Sequence, residues 1–211
     1  MNELNNLLPN TANVLRQLAK LPLLGDYTFV GGSALAIYLA HRLSEDLDFF
    51  TWQAQIDPPQ LAQQLRHAQI GELHIINLSP TQADFILKGV KLTFFANNWH
   101  ELRRRTHLIA HLHIAQLDTL LVMKVNTLFL RAAYRDYYDL YCLNQGYTLD
   151  DFFELTRQKM NNLNKTLLQR ALIFTDDIDD ENIQHLEPKY PITLSQIAQH
   201  FQRQIKIWNK K

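Results

Sequence analysis

Cysteine is almost absent from this sequence: Cys142 is the single one among 211 residues, so an intramolecular disulfide is excluded. An excess of either charge is also missing, because 21 Lys and Arg residues balance 21 Asp and Glu residues. A uniformly basic surface, as a general nucleic-acid or membrane binder would carry, is therefore excluded, and any basic patch must be local. Cys142 lies in an aromatic helical segment, where we expect it to be buried.

Long apolar runs are missing as well. No segment approaches the roughly 20 apolar residues that a membrane span needs. The first ten residues, MNELNNLLPN, have neither a basic start nor an apolar core, so we do not expect a signal peptide. These absences favour a soluble, cytoplasmic protein with no membrane partner. The 46% of hydrophobic residues is enough for one full core, or for one core with a smaller helical appendage.

The two halves of the chain differ in their patterns. Alternating or β-prone runs in the first half predict strands at 27–30, 46–51, 72–78, 83–88 and 90–96. Helical patterns predict one or two helices within 3–20 and others at 33–41, 57–67, 118–144, 149–160, 163–174 and 194–208. The pattern at 118–144 consists of two pieces that could be continuous, and Asp118 is the candidate N-cap of the first. We therefore predict an α+β fold, with a mixed sheet and flanking helices in residues 1–115 and a C-terminal helical bundle in residues 116–211.

Basic residues and histidines lie near the end of the first half. Arg103 to Arg105 could contact an RNA backbone, but we interpret them as a solvated loop. His107, His111 and His113 lack the spacing of a zinc site, and no cysteine lies near them. We interpret these histidines as surface residues.

The most informative stretch runs from Gly31 to Phe50 and reads GGSALAIYLAHRLSEDLDFF. Gly31 and Gly32 allow a ligand to approach the main chain. The free N–H groups at the start of the following helix favour an anion, and Ser33 adds a hydroxyl donor. These three residues are therefore candidates for binding a nucleotide phosphate, although a simple tight turn would explain the glycines equally well.

Two carboxylates end the same stretch. Asp46 and Asp48 alternate with Leu47 and Phe49, so on a strand both would project from one face. Two carboxylates this close repel each other unless a cation lies between them, and Mg²⁺ binds carboxylate and phosphate oxygens. Asp46 and Asp48 are therefore candidate metal ligands and catalytic residues. The alternative is the polar, wet face of an edge strand.

Together these motifs resemble the nucleotidyltransferase superfamily, in which Gly-Ser is followed at this spacing by Asp-x-Asp. The stretch is most similar to the AbiEii/AbiGii family of nucleotidyltransferase toxins, whose run reads GG-Ser/Thr-ALAL and then His-Arg-x-Ser-x-DLDF. The resemblance implies Mg²⁺-dependent transfer of NMP from an NTP to an acceptor. It also implies a toxin of a bacterial toxin–antitoxin or abortive-infection system, an RNA acceptor such as tRNA, and a cognate antitoxin protein as a partner.

A second segment of the chain, residues 117–143, extends the resemblance. The family has a helical lysine followed by Arg-Asp-x-x-Asp-Leu, and Lys124, Arg135, Asp136 and Asp139 fit this pattern. The resemblance implies that Lys124 contacts the nucleotide phosphates and that Asp136 or Asp139 completes the site, with Asp139 favoured for catalysis. Two alternatives remain: a surface position for Lys124, and a helix-surface pairing of Asp136 with Arg135 or Arg131.

Thr93 departs from the family pattern. The family usually has a third carboxylate on a later strand, in a run such as VKVDF, whereas this chain reads VKLTF at 90–94. Another carboxylate could serve instead, such as Glu45, Asp84 or Asp139. Otherwise the site works with two carboxylates, or the protein binds nucleotide without catalysing transfer.

Overall fold

The computed structural model describes residues 4–97, 99, 102–178 and 183–210. Contacts between Cα atoms divide the chain into two compact units, Met1–Leu117 and Asp118–Lys211. None of the helices in the described ranges is long and apolar enough to cross a membrane.

A mixed seven-stranded sheet forms the first unit. Its strands are β1 (Thr28–Val30), β2 (Leu47–Thr51), β3 (Leu73–Ser79), β4 (Gln82–Leu87), β5 (Val90–Ala96), β6 (Arg105–Ile109) and β7 (Leu112–Ala115). Their order across the sheet is β3-β4-β5-β2-β1-β7-β6. The pairs β1–β7 and β2–β5 are parallel, and the other neighbours are antiparallel. The prediction of a mixed sheet with flanking helices is confirmed.

In the described ranges, the α-helices α1 (Pro9–Leu18), α2 (Gly31–Leu39) and α3 (Pro58–His67) and a short 3-10 helix (Pro22–Asp26) accompany this sheet. Proline at the first position suits the start of α1, and the Asp57 side chain caps α3 by accepting the Gln60 N–H at 2.9 Å. A core of packed aromatic rings fixes the middle of the sheet. The rings of Phe49 and Phe94 on neighbouring strands are stacked with their centroids 4.7 Å apart. The strand that carries Asp48 is therefore held by its buried neighbours.

The hairpin β6–β7 is absent from the sequence prediction. Arg103 and Arg104 lie in an exposed loop as predicted, but the loop interpretation is wrong for Arg105. Arg105 begins β6, and its guanidinium donates to the carbonyls of Gly25 and Tyr27, so it cross-links the start of β1. His107 is exposed as expected, but His113 is half-buried opposite it. Burial and the nearby Arg105 lower the pKa of His113. Charged and polar residues obscured the alternation because β6 is an edge strand.

The second unit is helical, as predicted, with α4 (Leu117–Leu130), α5 (Tyr134–Leu143), α6 (Leu149–Arg157), α7 (Lys165–Ile173) and α8 (Leu194–Trp208). Helix α8 packs against α5, α6 and α7, and its apolar face supplies Ile197 and Phe201 to the core. The only cysteine, Cys142, is buried as expected.

One local prediction for the second unit needs correction, and one open alternative is resolved. Asp118 does not cap α4, because the helix already begins at Leu117. The Asp118 carboxylate instead accepts the Tyr147 hydroxyl at 2.6 Å. The helical pattern at 118–144 forms two separate helices, α4 and α5, with residues 131–133 between them. Asp136 caps the second helix by accepting the Ala133 N–H at 3.2 Å.

Candidate active site

The glycine turn and the Asp-x-Asp strand are in direct contact. Val30 pairs with Asp48 across β1 and β2, and Gly31 follows at φ +75°, a left-handed conformation that favours glycine. A Cβ on Gly31 would overlap Oδ2 of Asp48, an approach closer than any side chain allows. Gly31 is therefore required for two reasons: its backbone angle, and the approach of the Asp48 carboxylate to the first residue of α2. Contrary to prediction, α2 begins at Gly31 and not at Ser33.

Ser33 connects α2 to the residues that lead into β2. Its side chain is 1% exposed, and its hydroxyl donates to the main-chain carbonyl of Asp46. The Ser33 and Ser44 hydroxyl oxygens are 2.8 Å apart, and the Arg42 guanidinium donates to Ser44 Oγ at 3.3 Å. The Ser and Arg of the His-Arg-x-Ser-x-Asp motif thus hold the main chain beside Asp46. This geometry positions a carboxylate, and the predicted contact of Ser33 with phosphate stays a prediction.

The N-terminal segment also contacts the residues just before β2. The Leu8 N–H donates to the Ser44 carbonyl at 3.0 Å, and the Ser44 N–H donates to the Asn6 carbonyl at 3.1 Å. The Thr11 hydroxyl donates to the Glu45 carbonyl at 3.0 Å. Sequence reasoning missed these contacts because the partners are 34 to 38 residues apart and two of the three bonds join main-chain atoms only. Residues 44–46 are consequently fixed before any ligand arrives.

The two carboxylates of the motif are only half-buried. Asp48 is the second residue of β2, whereas Asp46 immediately precedes the strand, so the strand predicted at 46–51 begins one residue later. Hard carboxylate oxygens fit Mg²⁺, which commonly uses one or two carboxylates and takes its other ligands from substrate phosphates and water. Within the described ranges, no three Asp, Glu, His or Cys side chains are grouped closely enough to hold a metal ion. Asp46 and Asp48 could supply two carboxylates to such an ion.

Thr93 lies next to Asp48 in the sheet. The strands β2 and β5 pair Asp48 with Thr93, and β5 and β4 pair Thr93 with Asp84. The Thr93 hydroxyl donates to Oδ1 of Asp84 at 2.9 Å, and the Gln82 amide donates to Oδ2 at 2.8 Å. Asp84 is 7% exposed. A carboxylate is thus present one strand beyond the position where the family usually has it.

The second unit contains a buried ionic cluster, hereafter the lysine triad, formed by Lys124, Asp136 and Asp139. The Lys124 ammonium lies 2.9 Å from Oδ1 of Asp136 and 2.9 Å from Oδ2 of Asp139. The exposed fractions of these residues are 8%, 1% and 0%. A surface position for Lys124 and a surface pairing for Asp136 are therefore both wrong. The Arg-Asp-x-x-Asp segment places both carboxylates on one side of α5, as the three-residue spacing predicts.

Comparisons with known proteins extend the resemblance. Residues 13–89 match the family model described as nucleotidyl transferase AbiEii toxin, Type IV TA system. The chain is therefore similar to the AbiEii family over these residues. An uncharacterized protein of Aquifex aeolicus (strain VF5) is 25% identical over 196 residues, which is 91% of this chain and 92% of the relative.

Two solved structures share the fold. A candidate nucleotidyltransferase of H. pylori aligns over 96% of both chains with a TM-score of 0.56 at 18% identity. The nucleotidyltransferase toxin MenT4 of Mycobacterium tuberculosis H37Rv aligns over 96% of this chain and 85% of its own, with a TM-score of 0.57 at 13% identity. The predicted nucleotidyltransferase fold is confirmed.

The AbiEii segment includes the glycine turn, both carboxylates of the motif and Asp84. It ends before Thr93 and the lysine triad. The resemblance inferred from Gly31–Phe50 is thus confirmed for a nucleotidyltransferase toxin family. The individual roles of Gly31, Asp48 or Lys124 in binding and catalysis stay predictions, which the geometry now makes specific.

Proposed function

We propose that this protein transfers a nucleoside monophosphate from an NTP to an acceptor, as the toxin of a bacterial toxin–antitoxin system. One observation carries the proposal: the Asp48 carboxylate lies against Gly31, at the N-terminus of α2. A helix N-terminus attracts anions and a carboxylate attracts cations, so the two could serve a phosphate and its metal ion respectively. The AbiEii family match supports the same chemistry.

In this proposal, the first unit binds the reacting phosphates. The main-chain N–H groups from Gly31 to Ser33 donate hydrogen bonds to phosphate oxygens, and Asp46 and Asp48 hold Mg²⁺. When bound, Mg²⁺ polarises the phosphoryl oxygens and neutralises charge. Ser33 keeps the turn and the Asp46 main chain in place, so that binding requires little reorganisation.

The lysine triad has a separate role in the proposal. Lys124 neutralises negative charge on the nucleotide phosphates, a role for which a compact ammonium ion is well suited. Asp136 and Asp139 hold that ammonium at 2.9 Å each. Both aspartates are buried, and we assign Asp139 to catalysis with Lys124, as the family resemblance implies.

The proposed acceptor is RNA, with tRNA as one candidate, and the proposed partner is a cognate antitoxin protein. The matching family consists of toxins of a Type IV toxin–antitoxin system, which supports an antitoxin. We propose a cytoplasmic location, because NTPs and tRNA are found there.

Transfer of radiolabel from each NTP to total RNA, with Mg²⁺ present, tests the proposal. We expect the wild-type protein to label RNA and Asp48→Asn to be slower by at least about 1000-fold, since it removes charge where the metal ion would bind. Asp26→Asn, at an exposed aspartate of the same unit, is the matched control and should retain full activity. Equal labelling by the wild type and Asp48→Asn would refute the enzymatic proposal.

A protein that binds nucleotide without transfer is the second candidate, because Thr93 replaces the expected third carboxylate. Isothermal calorimetry separates the two. Binding of Mg²⁺-NTP to a protein that forms no labelled RNA would support the non-catalytic binder, and lack of any NTP binding would contradict both functions.

A further inference from the structure

A row of polar side chains crosses the sheet on the Asp48 face. The strand registers place Asp48 beside Thr93, Thr93 beside Asp84, and Asp84 beside Asn77. Side chains of directly paired residues project from the same face, and neighbouring strands are about 4.8 Å apart. The row thus runs from the candidate metal ligand through a hydroxyl to a second, more buried carboxylate.

Both oxygens of Asp84 have defined partners. Thr93 Oγ1 donates to Oδ1, and Gln82 Nε2 donates to Oδ2. Both donors are neutral, so neither one cancels the charge of the carboxylate. Because the hydroxyl of Thr93 already points at Asp84, its lone pairs remain available to accept another proton.

We propose that Thr93 and Asp84 together replace the third carboxylate of the family, with Thr93 relaying a proton to Asp84. This inference depends on the proposed function. The acceptor oxygen attacks the α-phosphorus of the NTP, forming one P–O bond while the bond to pyrophosphate breaks. The acceptor's proton passes to Thr93 Oγ1 as the proton of Thr93 passes to Asp84 Oδ1, and pyrophosphate leaves with the bonding electron pair.

The relay explains why a threonine is sufficient at position 93. Asp84 lies on the strand next to Thr93, and the Thr93 hydroxyl spans the gap of about 5 Å between paired positions. A purely structural pair would have the same contacts, since cross-strand hydrogen bonds stabilise sheets. The two explanations differ in what they predict for catalysis by folded variants.

Single and double substitutions distinguish the relay from a structural pair. Asp84→Asn keeps an acceptor for the Thr93 hydroxyl and removes the base, so kcat should fall by about 100- to 10,000-fold. Thr93→Val should cause a similar loss, and the double variant should be no slower than either single variant, because the two groups act as a unit. The KM for NTP should change less than about twofold in all three, since the relay acts on the acceptor proton. Asn77→Ala, at the edge of the same row, is the control and should keep wild-type kcat.

Moving the carboxylate from position 84 to position 93 tests whether kcat can be restored. Combining Thr93→Asp with Asp84→Asn restores the family arrangement beside Asp48 and should raise kcat at least about tenfold above Asp84→Asn alone, a fraction of what a general base contributes. NTP affinity by calorimetry and the thermal midpoint show that each variant is folded and binds nucleotide. Wild-type kcat in Asp84→Asn, or no rescue in a folded, NTP-binding double variant, overturns the relay while the proposed function stands. A wild-type protein that transfers nothing refutes both.

Discussion

The first unit and the second unit each contain an aspartate pair from a recognisable motif, but the two pairs have different surroundings. Asp46 and Asp48 are half-buried, and Asp48 lies against a glycine. Asp136 and Asp139 are at most 1% exposed, and both contact the Lys124 ammonium. The first pair is positioned by main-chain contacts around it, whereas the second pair is positioned by a cation between its members.

This difference indicates that the carboxylates of the two motifs have different roles. A half-buried pair keeps access to solvent, so it can take up a metal ion from water at little cost. A buried pair must have its counter-charge within the protein, because an isolated ion at that depth would cost several kcal/mol. We therefore expect substitutions in the first unit to affect catalysis more than folding, and substitutions in the lysine triad to affect both.

The largest effect on folding is expected from Lys124→Met. It leaves two buried carboxylates without their cation, and breaking a buried pair in this way typically costs about 3–5 kcal/mol. Urea denaturation should show this loss in the free energy of unfolding. Lys206→Met, at an exposed lysine of α8, is the control and should change stability by less than about 0.5 kcal/mol. A Lys124→Met protein as stable as the wild type would show that the triad does not stabilise the second unit.

A smaller effect on folding but a large one on catalysis is expected from Gly31→Ala. The left-handed backbone at φ +75° costs a non-glycine residue about 1–2 kcal/mol, and the new Cβ must also displace the Asp48 carboxylate. A displacement of about 1 Å can reduce the rate by 100-fold, which we expect here in the RNA-labelling assay.

The chain offers two matched controls for Gly31→Ala. Gly89 has φ +78° but open space where a Cβ would lie, so Gly89→Ala should show the backbone cost and keep full activity. Gly25 also has open space and no positive φ, so Gly25→Ala should change neither property measurably. If Gly31→Ala and Gly89→Ala lose the same amount of activity, the contact with Asp48 does not matter for catalysis.

Most of the first unit's central sheet could be predicted from the sequence. The five predicted strands have alternating or apolar runs, and each occurs within about a residue of its expected bounds. The edge hairpin β6–β7 was missed because Arg105, His107 and His113 interrupt any apolar pattern. The position of this hairpin in the sheet depends on distant partners, since Arg105 donates to main-chain carbonyls about 80 residues away in the sequence.

The candidate site was predictable in its residues but not in its contacts. Spacing alone suggested that Asp46, Asp48 and Gly31 belong together. It could not show that Asp48 touches Gly31, because this contact depends on the register of β1 with β2. The choice among carboxylates for the Thr93 position also depended on register, since Asp84 is nine residues away in sequence and adjacent in the sheet.

The smallest effect is the loss of stability at alkaline pH, to which one tyrosine of each unit contributes. Burial, with a smaller contribution from Asp136, raises the pKa of Tyr137 to about 12, and burial with Asp26 and Asp57 raises the pKa of Tyr27 to about 12. The unfolded chain releases these protons near pH 10, so stability is fully present below pH 10 and falls as the pH rises from about 10 to about 12.

Urea denaturation at several pH values from 8 to about 11.5 measures this loss, which for one group cannot exceed about 1.4 kcal/mol per pH unit. Tyr137→Phe should flatten the alkaline slope, although it also removes the 2.9 Å hydrogen bond from the Tyr137 hydroxyl to the Ala171 carbonyl and so lowers stability at every pH. Asp136→Asn should flatten the slope less, because Asp136 is the secondary cause of the raised pKa. Tyr27→Phe should flatten it through the first unit alone. An unchanged slope in Asp136→Asn would mean that burial alone, without the charge of Asp136, raises the pKa of Tyr137.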